Sequence, residues 1–324
     1  MSALLWWFGS AGATALLTGL VLVLARRRGW MDHPVDRSLH SAATPSGGGL
    51  AIVLVVLGAL LATDQSWWLI GAASAVAFTG FIDDLKSLPI APRLLVQALA
   101  VALALLAIGG LPQITVGDQT YALLSPAQVV LAIACLWFLN LYNFMDGTDG
   151  LASAELLFVG LVAAALAQDP AIRAVWLALS GAGAGFLLWN RPPARLFMGD
   201  AGSGFLGLVI GVWLVRSVGA GEFSLWTALV LVAPFACDAT LTLLRRMARG
   251  EAWYRPHLSH AYQRLAQRSG GHGPVLLALA GVNLALVLPA ALWSEARPDL
   301  APFIAGAVLA ILCALVWTAG AGRS

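Results

Sequence analysis

The chain has 324 residues, of which 60% are apolar and 10% charged, with a mean hydropathy of +0.85 and a formal net charge of +2. Soluble domains carry about a quarter charged residues, so this composition excludes a soluble globular protein. We expect an all-α polytopic integral membrane protein whose single transmembrane domain covers residues 1–324, with no nucleic-acid partner.

Eleven apolar stretches are long enough, or nearly long enough, to cross a bilayer as helices. Several are short, so their predicted bounds are soft. The stretches are residues 4–25, 49–63, 67–82, 93–110, 126–145, 151–168, 172–190, 203–218, 224–243, 274–293 and 301–319.

Positive charge sets the predicted orientation. The first stretch has no Lys or Arg before it and is followed by three arginines, which is typical of a span with an external N-terminus rather than a signal peptide. Carrying this orientation through eleven spans places all but three of the 18 Lys and Arg residues on the cytoplasmic side, together with the C-terminus. The histidines and most loop aspartates also fall there, so we expect a cytoplasmic-face active site.

The first cytoplasmic loop, residues 26–49, holds Arg37, His40 and Thr44 before a run of glycines. Backbone N–H groups at a helix start, preceded by glycines and helped by an arginine, are typical of an anion site. The loop is predicted either to bind phosphate or to be a plain surface turn.

Two adjacent carboxylates, Asp83 and Asp84, end the third span and precede Lys86. Adjacent carboxylates repel each other unless a cation lies between them. The pair indicates a Mg²⁺ site or a base acting on a phosphate acid, and a solvated acidic helix end is the alternative. Across the bilayer, residues 112–125 alternate in a pattern that predicts a short external hairpin.

The stretch N-L-Y-N-F-M-D-G-T-D-G-L-A, residues 140–152, ends a membrane-spanning run. Asn140, Asn143, Asp146 and Asp149 recur every third residue, about 300° around a helix, so neighbours share a face while the first and last drift apart. Polar side chains at membrane depth indicate function. The helix is predicted to break at the glycines of this stretch, and a glycine-rich turn with water-facing acids is the alternative.

The loop N-R-P-P-A-R-L-F-M-G-D-A-G-S-G, residues 190–204, is the next most site-like segment. Asp200 stands between two glycines, and Ser203 is predicted to cap the following span. A carboxylate and several free N–H groups would converge there, which favours a ligand site over a tight turn.

The ninth span and the loop after it carry further polar residues. Asp238 lies inside the span near Arg245, where an internal ion pair and a substrate role are equally open. In the loop, residues 244–273, His257 and His260 are one turn apart and could bind a pyrophosphate or a metal. The alternative is a basic amphipathic segment lying on anionic lipid.

Four of these stretches resemble, in this order on alternate loops, the polyprenyl-phosphate N-acetylhexosamine-1-phosphate transferases, glycosyltransferase family 4. They are F-I-D-D-L-K, N-L-Y-N-F-M-D-G-T-D-G-L-A, N-R-P-P-A-R-L-F-M-G-D-A-G-S and H-L-S-H-A-Y-Q-R-L, and the resemblance covers residues 30–270. It implies ten or eleven transmembrane helices in the bacterial inner membrane, Mg²⁺ (with Mn²⁺ as an alternative), undecaprenyl phosphate as acceptor, a UDP-N-acetylamino sugar as donor and release of UMP. A homodimer is compatible with it.

The resemblance also implies roles for individual residues. Asp83 and Asp84 would be the catalytic acidic pair, and Asp200 a Mg²⁺ ligand. His257 and His260 would act in catalysis against the donor pyrophosphate. The implied substrate-binding residues are Arg37, His40, Asn140, Asn143, Asp146, Asp149, Asn190 and Phe197.

Two departures narrow the expected donor. The branch that makes the peptidoglycan lipid precursor has three histidines in the last loop and a lysine in the first, whereas this chain has H-L-S-H and offers Arg37 and His40. This argues against a muramoyl-pentapeptide donor. H-x-S-H-A-Y-Q resembles the subgroup that initiates lipopolysaccharide O-antigen, which implies UDP-N-acetylglucosamine or a 6-deoxy relative such as UDP-N-acetylfucosamine or UDP-N-acetylquinovosamine.

The alternative function is a secondary transporter or a flippase for lipid-linked sugars. The carboxylates of transporters usually lie near the bilayer midplane on broken helices, often in two related halves. Here the carboxylates gather at predicted cytoplasmic helix ends and no internal repeat is evident. The enzyme is therefore the favoured prediction.

Overall fold

The structure is a computed structural model, and it describes residues 2–34, 42–116, 119–252 and 257–323. Arg37 and His40, predicted to bind substrate, lie outside the described residues. Within the described ranges the chain forms thirteen α-helices and two small two-stranded antiparallel sheets. The helices are α1 (Ala3–Arg28), α2 (Gly49–Ala62), α3 (Trp67–Leu85), α4 (Ile90–Ile108), α5 (Ser125–Phe144), α6 (Leu151–Leu166), α7 (Pro170–Asn190), α8 (Asp200–Gly219), α9 (Leu225–Ala248), α10 (Ala261–Ser269), α11 (Gly273–Val282), α12 (Leu288–Ala296) and α13 (Ala301–Ala319).

Eleven helical segments of the described chain match the eleven predicted spans. Nine of them are long and apolar enough to cross a membrane, and the shorter apolar helices α2 and α6 complete the set. One of the nine consists of α11, a π-helical segment (Asn283–Val287) and α12. Helices satisfy all their backbone hydrogen bonds internally, which a bilayer demands. The chain is an all-helical multi-pass membrane protein, as expected.

Consecutive spans run in opposite directions, since the last residues of one span and the first residues of another lie at the same face of the bundle. One cavity there is lined by the last residues of α3, α5 and α7, by residues that follow α1, and by the turn between α5 and α6. Residues at or just before the starts of α2, α4, α8 and α11 complete its wall. Since α2 begins and α3 ends at this cavity, the turn between them lies at the far end of the bundle. The last turn of α1 brings three arginines to the cavity face.

Helix α8 is the centre of the bundle, and almost all of its residues are buried. It packs against α2, α3 and α5 with glycines at the crossings. A Cβ added to Gly49 would come 2.4 Å from the Cα of Gly202, and one added to Gly80 would come 2.4 Å from the carbonyl oxygen of Asp200. Small residues let helices in membranes approach at backbone distance. These contacts bring the end of α3 against the start of α8.

Two backbone N–H groups of the first loop are already bonded within the protein. Gly48 and Gly49 donate their N–H groups to the carbonyls of Phe197 and Met198, at 2.9 and 2.8 Å. The two N–H groups are therefore not available to a phosphate, and the glycines serve backbone packing instead. Just before them, β2 (Thr44–Pro45) pairs with β1 (Met31–Asp32).

The hairpin predicted within residues 112–125 is confirmed. Strands β3 (Gln113–Val116) and β4 (Gln119–Ala122) pair antiparallel, with Val116 opposite Gln119. The turn between them lies outside the described residues. The hairpin joins the end of α4 to the start of α5, away from the cavity.

Candidate active site

The cavity at the ends of the helices has a volume of about 840 Å³. Residues of all four sequence motifs line it, although more than a hundred residues separate the first motif from the last. Of the predicted site residues, the cavity is lined by Asp83, Asp84, Asn143, Asp146, Asp149, Asn190, Phe197 and Asp200. Asn140, His257 and His260 do not line it.

Asp84 holds the start of α8. Its carboxylate accepts hydrogen bonds from the N–H groups of Asp200 at 2.7 Å and Ala201 at 3.2 Å. The first N–H groups of a helix lack intrahelical partners and favour negative charge. Gly199, the residue before α8, has a φ of 79° and no side chain to supply a cap. The cap therefore comes from α3, and it fixes where the Asp200 side chain begins.

Asp83 is bound on both oxygens. Its Oδ1 accepts from the Leu88 N–H at 2.6 Å, and its Oδ2 pairs with the guanidinium of Arg93. Arg93 also lies 3.6 Å from Oδ2 of Asp200, so one arginine bridges the predicted catalytic Asp83 and the predicted metal ligand Asp200. Sequence reasoning missed this role and counted Arg93 only as a cytoplasmic charge. An arginine near the start of an otherwise apolar span was the available signal.

Asp146 faces the carboxylates of Asp84, Asp149 and Asp200. Burial, followed by the charges of these three groups, holds the pKa of Asp146 well above its usual range. No salt bridge to Asp146 occurs within the described ranges, where Arg93 reaches Asp83 and Asp200 and His272 reaches Asp149. The cluster has more negative than positive charge.

Hard carboxylate oxygens are the ligands that Mg²⁺ prefers. The donor set of the cavity therefore fits Mg²⁺, with Asp200 and Asp146 as the residues that would hold it, since Asp83 and Asp84 are already engaged. In the part of the chain that the structure describes, no three His, Cys, Asp or Glu side chains lie close enough to form a metal cluster on their own. Phosphate oxygens of a substrate would have to complete the coordination.

Asp149 joins three loops at the cavity wall. Its Oδ2 accepts from the Ala194 N–H at 2.9 Å, and its Oδ1 lies 3.1 Å from Nδ1 of His272. Because α5 ends at Phe144 and α6 begins at Leu151, Asp149 lies in the break that the glycines predicted. Gly150 takes the left-handed conformation there, with a φ of 78°. Sequence reasoning did not single out His272.

The Asn190 side chain makes three hydrogen bonds and the residue is 3% exposed. Its Oδ1 accepts from the Gly150 N–H at 2.9 Å and from the Ser153 hydroxyl at 3.2 Å, while its amide donates to the Leu196 carbonyl at 3.0 Å. This one side chain fixes both turns that face the cavity.

The spacing placed Asn140 and Asn143 on one face, but of the two only Asn143 lines the cavity. Asn143 lies at the cavity and its Oδ1 accepts from the Ser203 hydroxyl at 2.6 Å. Asn140 lies away from the cavity, and its amide donates to Oε1 of Gln97 at 3.1 Å. The prediction that Ser203 caps the eighth span is wrong, because α8 begins at Asp200 and Asp84 supplies the cap.

Asp238 caps a helix as well. It accepts from the N–H groups of Ala261 at 2.8 Å and Tyr262 at 2.9 Å, and lies 3.4 Å from Nδ1 of His260. It does not pair with Arg245, which donates to the Ala321 carbonyl at 2.6 Å. The suggested Asp238–Arg245 ion pair is therefore wrong, since α10 offers the carboxylate two free N–H groups.

His257 and His260 lie behind the cavity wall, while Tyr262 and Gln263 of the same segment line it. His260 is 3% exposed, and Nδ1 of His257 lies 2.9 Å from the Ser259 hydroxyl. Burial, then the charges of His260 and Arg246, lowers the pKa of His257 to about 4. Its imidazole is neutral at pH 7, so any contact with a substrate would be a hydrogen bond without a positive charge.

The fold and the cavity together define a multi-pass membrane protein with an acidic site at the bilayer surface. The family model for glycosyl transferase family 4 matches residues 66–218, which contain the motifs of α3, of the turn before α6 and of the loop before α8.

Three relatives illustrate the similarity. Decaprenyl-phosphate N-acetylglucosaminephosphotransferase of Mycobacterium tuberculosis is 28% identical over 313 residues, covering 82% of this chain and 76% of the relative. Probable undecaprenyl-phosphate N-acetylglucosaminyl 1-phosphate transferase of Bacillus subtilis is 28% identical over 309 residues, covering 89% and 84%. Phospho-N-acetylmuramoyl-pentapeptide-transferase of a Synechococcus species is 34% identical over 269 residues, covering 72% and 73%. This chain belongs to glycosyl transferase family 4.

Proposed function

We propose that this protein transfers an N-acetylamino-sugar 1-phosphate from a UDP-sugar to undecaprenyl phosphate, releasing UMP. The coarser part of this statement, transfer of a sugar 1-phosphate to a polyprenyl phosphate, follows from membership of the family. The product would initiate a cell-envelope glycan such as lipopolysaccharide O-antigen.

One observation carries the proposal: the carboxylates of three separated motifs face one cavity at the ends of membrane-spanning helices. A polyprenyl chain needs the apolar bilayer, whereas a nucleotide needs water. A site at the bilayer surface is accessible to both substrates. The relatives named for N-acetylglucosamine phosphate transfer support the same chemistry.

The reaction joins two anions, so its main requirement is to offset negative charge. An oxygen of the lipid phosphate attacks the β-phosphorus of the UDP-sugar, and the bond from that phosphorus to the bridging oxygen breaks as UMP leaves. A bound Mg²⁺ would supply Lewis-acid polarisation and neutralise phosphate charge. Asp200 and Asp146 would hold it, and Asp84 would keep Asp200 in place through the start of α8.

Asp83 then has two candidate roles, base and covalent nucleophile. Its oxygens are engaged by Leu88 and Arg93, and the side chain is 7% exposed, which supports direct attack by the lipid phosphate. The second pKa of a phosphate monoester is near 6, so the acceptor is largely dianionic at neutral pH. If Asp83 only removes the last proton, Asp83→Asn regains activity as the pH rises from about 6 to about 9. UMP released without lipid acceptor, with sugar phosphate trapped on Asp83, would contradict direct attack.

For the other positions we propose the roles that the resemblance implies. Asn143, Asp149, Asn190 and Phe197 border the space where the sugar phosphate and nucleotide would lie. Donor contacts by His257 and His260, by Asn140 and by the residues of the first loop stay predictions. The protein would lie in the bacterial cytoplasmic membrane with the cavity on the cytoplasmic side, where the arginines of the last turn of α1 are expected.

The deciding experiment incubates purified protein with undecaprenyl phosphate, Mg²⁺ and a panel of UDP-sugars. The donors in the panel are the UDP-linked forms of N-acetylglucosamine, of two 6-deoxy N-acetylamino sugars and of N-acetylmuramoyl-pentapeptide. We expect UMP and lipid-linked sugar from at least one N-acetylamino sugar and none from the pentapeptide donor. Absence of product with every donor would refute the enzyme proposal, and product with the pentapeptide alone would refute the proposed donor class.

A further inference from the structure

A buried carboxylate lies inside the bilayer region, outside the cavity. Glu155 is one turn into α6 and 2% exposed, and Asn283 of the neighbouring span is 3% exposed. The Asn283 amide donates to Oε2 of Glu155 at 2.7 Å. Charged side chains in membrane spans are rare and costly, and they usually indicate a function. None of the four motifs contains this pair.

The other oxygen of each group lacks a partner. Oε1 of Glu155 and Oδ1 of Asn283 are both buried, and within the described residues neither makes a hydrogen bond. If Glu155 were ionised, both atoms would be acceptors without a donor, which is costly in a low-dielectric interior. One proton on Oε1 of Glu155 gives both oxygens a hydrogen bond, because the acid O–H can donate to Oδ1 of Asn283.

Among the residues that the structure describes, no group donates a hydrogen bond to Oε1 of Glu155. No salt bridge to Glu155 occurs in the ranges that the structure describes. Tyr142 is a titratable neighbour, but its hydroxyl donates to the Ala152 carbonyl at 2.7 Å. A metal ion would need more oxygens than these two groups leave free.

We infer that Glu155 is protonated at neutral pH and forms a two-hydrogen-bond acid–amide pair with Asn283, and that this pair positions the Asp149 turn. The π-helical segment begins at Asn283, and such insertions re-aim side chains and are frequent at functional sites. The re-aimed side chain here is the amide that meets Glu155.

The pair is the deeper of two polar contacts between the α6 region and the span that begins with α11. At the cavity wall, Asp149 lies 3.1 Å from His272, just before each helix starts. Between these two polar contacts the helices are in close contact, since a Cβ added to Gly150 would come 3.3 Å from Cδ2 of Leu276. Loss of the deeper polar contact should allow α11 to shift along α6 and displace the Asp149–His272 contact.

Two substitutions of similar size test the pair. Glu155→Gln keeps one donor and one acceptor towards Asn283, so we expect an unchanged Tm and a kcat within about twofold of wild type. Glu155→Leu removes both hydrogen bonds and leaves the Asn283 amide unpaired, so we expect a lower Tm and a kcat reduced by about tenfold or more. Gly281→Ala, on α11 with nothing within 4 Å of the added Cβ, is the control and should change neither.

A measurement that needs no substrate completes the test. The infrared spectrum of wild type at pH 7 should contain a protonated carboxyl C=O band that is absent from Glu155→Gln. Identical spectra, or a large loss of kcat in Glu155→Gln with an unchanged Tm, would overturn the protonated pair. Full kcat in folded Glu155→Leu would overturn the positioning role. This role rests on the proposed function, but the infrared and Tm results do not, so the two failures are distinguishable.

Discussion

The same structural device occurs twice in this protein, with different surroundings. Asp84 of α3 caps the start of α8, and Asp238 of α9 caps the start of α10, each by accepting two backbone N–H groups. Asp84 lies in the cavity wall beside other carboxylates, whereas Asp238 is 4% exposed and lies beside His260. Local hydrogen bonding is thus nearly identical in the two places. The neighbouring charges decide which helix start can take part in phosphate chemistry.

The largest expected effect is at the cavity. Asp200→Asn removes a proposed Mg²⁺ ligand without changing side-chain volume, and we expect turnover to be abolished in a protein that remains folded and inserted. The second readout is the Tm, which Mg²⁺ should raise in wild type but not in the variant. Full activity at limiting Mg²⁺ would contradict the metal assignment.

The next largest effect concerns the crossing that presents Asp84 to α8. An alanine at position 80 would place its Cβ 2.4 Å from the Asp200 carbonyl, forcing α3 and α8 apart. We expect Gly80→Ala to reduce kcat by about a hundredfold, because small displacements of a catalytic group are this costly.

Gly71→Ala is the matched control for Gly80→Ala. It lies on the same helix, and the added Cβ would meet nothing within 4 Å. We expect wild-type activity and Tm from it. Equal losses in both alanine variants would show that helix α3 is generally sensitive and that the crossing is not special.

Substitution of the histidines tests whether the second cap also has a substrate role. If His257 and His260 contact the donor, alanine at either should lower the rate by about a hundredfold, in line with lost stabilisation of phosphoryl transfer. The KM for the UDP-sugar should be measured alongside. Unchanged kinetics at both positions would leave this segment with a structural role alone.

Asp238→Ala should separate stability from catalysis. It leaves the buried N–H groups of Ala261 and Tyr262 unpaired, which typically costs about 1–3 kcal/mol. We therefore expect a clear fall in Tm with a smaller fall in kcat, measured below the Tm of the variant. A loss of kcat as large as that of Asp200→Asn, with Tm unchanged, would mean that Asp238 acts in catalysis and is not a structural cap alone.

The smallest effect is the pH dependence near the second cap. The pKa of His257 is lowered from 6.5 to about 4, so the unfolded chain takes up a proton before the folded one. With respect to His257, the free energy of unfolding is therefore highest above pH 6.5 and decreases as the pH falls towards 4. We expect the Tm to decline over this window in wild type and to decline less in His257→Asn. Parallel pH profiles would show that His257 is not the responsible group.

Sequence reasoning predicted the eleven spans because apolar length is a local property. It also identified most of the cavity carboxylates, since carboxylates beside glycines at span ends are visible in the chain itself. It missed Arg93, His272 and the Glu155–Asn283 pair, because their partners are set by which helices pack together. The incorrect Ser203 cap has the same origin, since the actual cap comes from a different helix.

The glycine crossings of α8 also restrict the path of a lipid acceptor. At Gly49 against Gly202, Gly80 against Asp200 and Gly207 against Leu139, an added Cβ would come within 2.7 Å of the opposite backbone. Seams this tight have no width for an isoprenoid tail, so α2, α3 and α5 form a closed wall with α8 at these levels. A polyprenyl chain in the bilayer would have to enter the cavity laterally, between helices that do not cross α8 at these glycines.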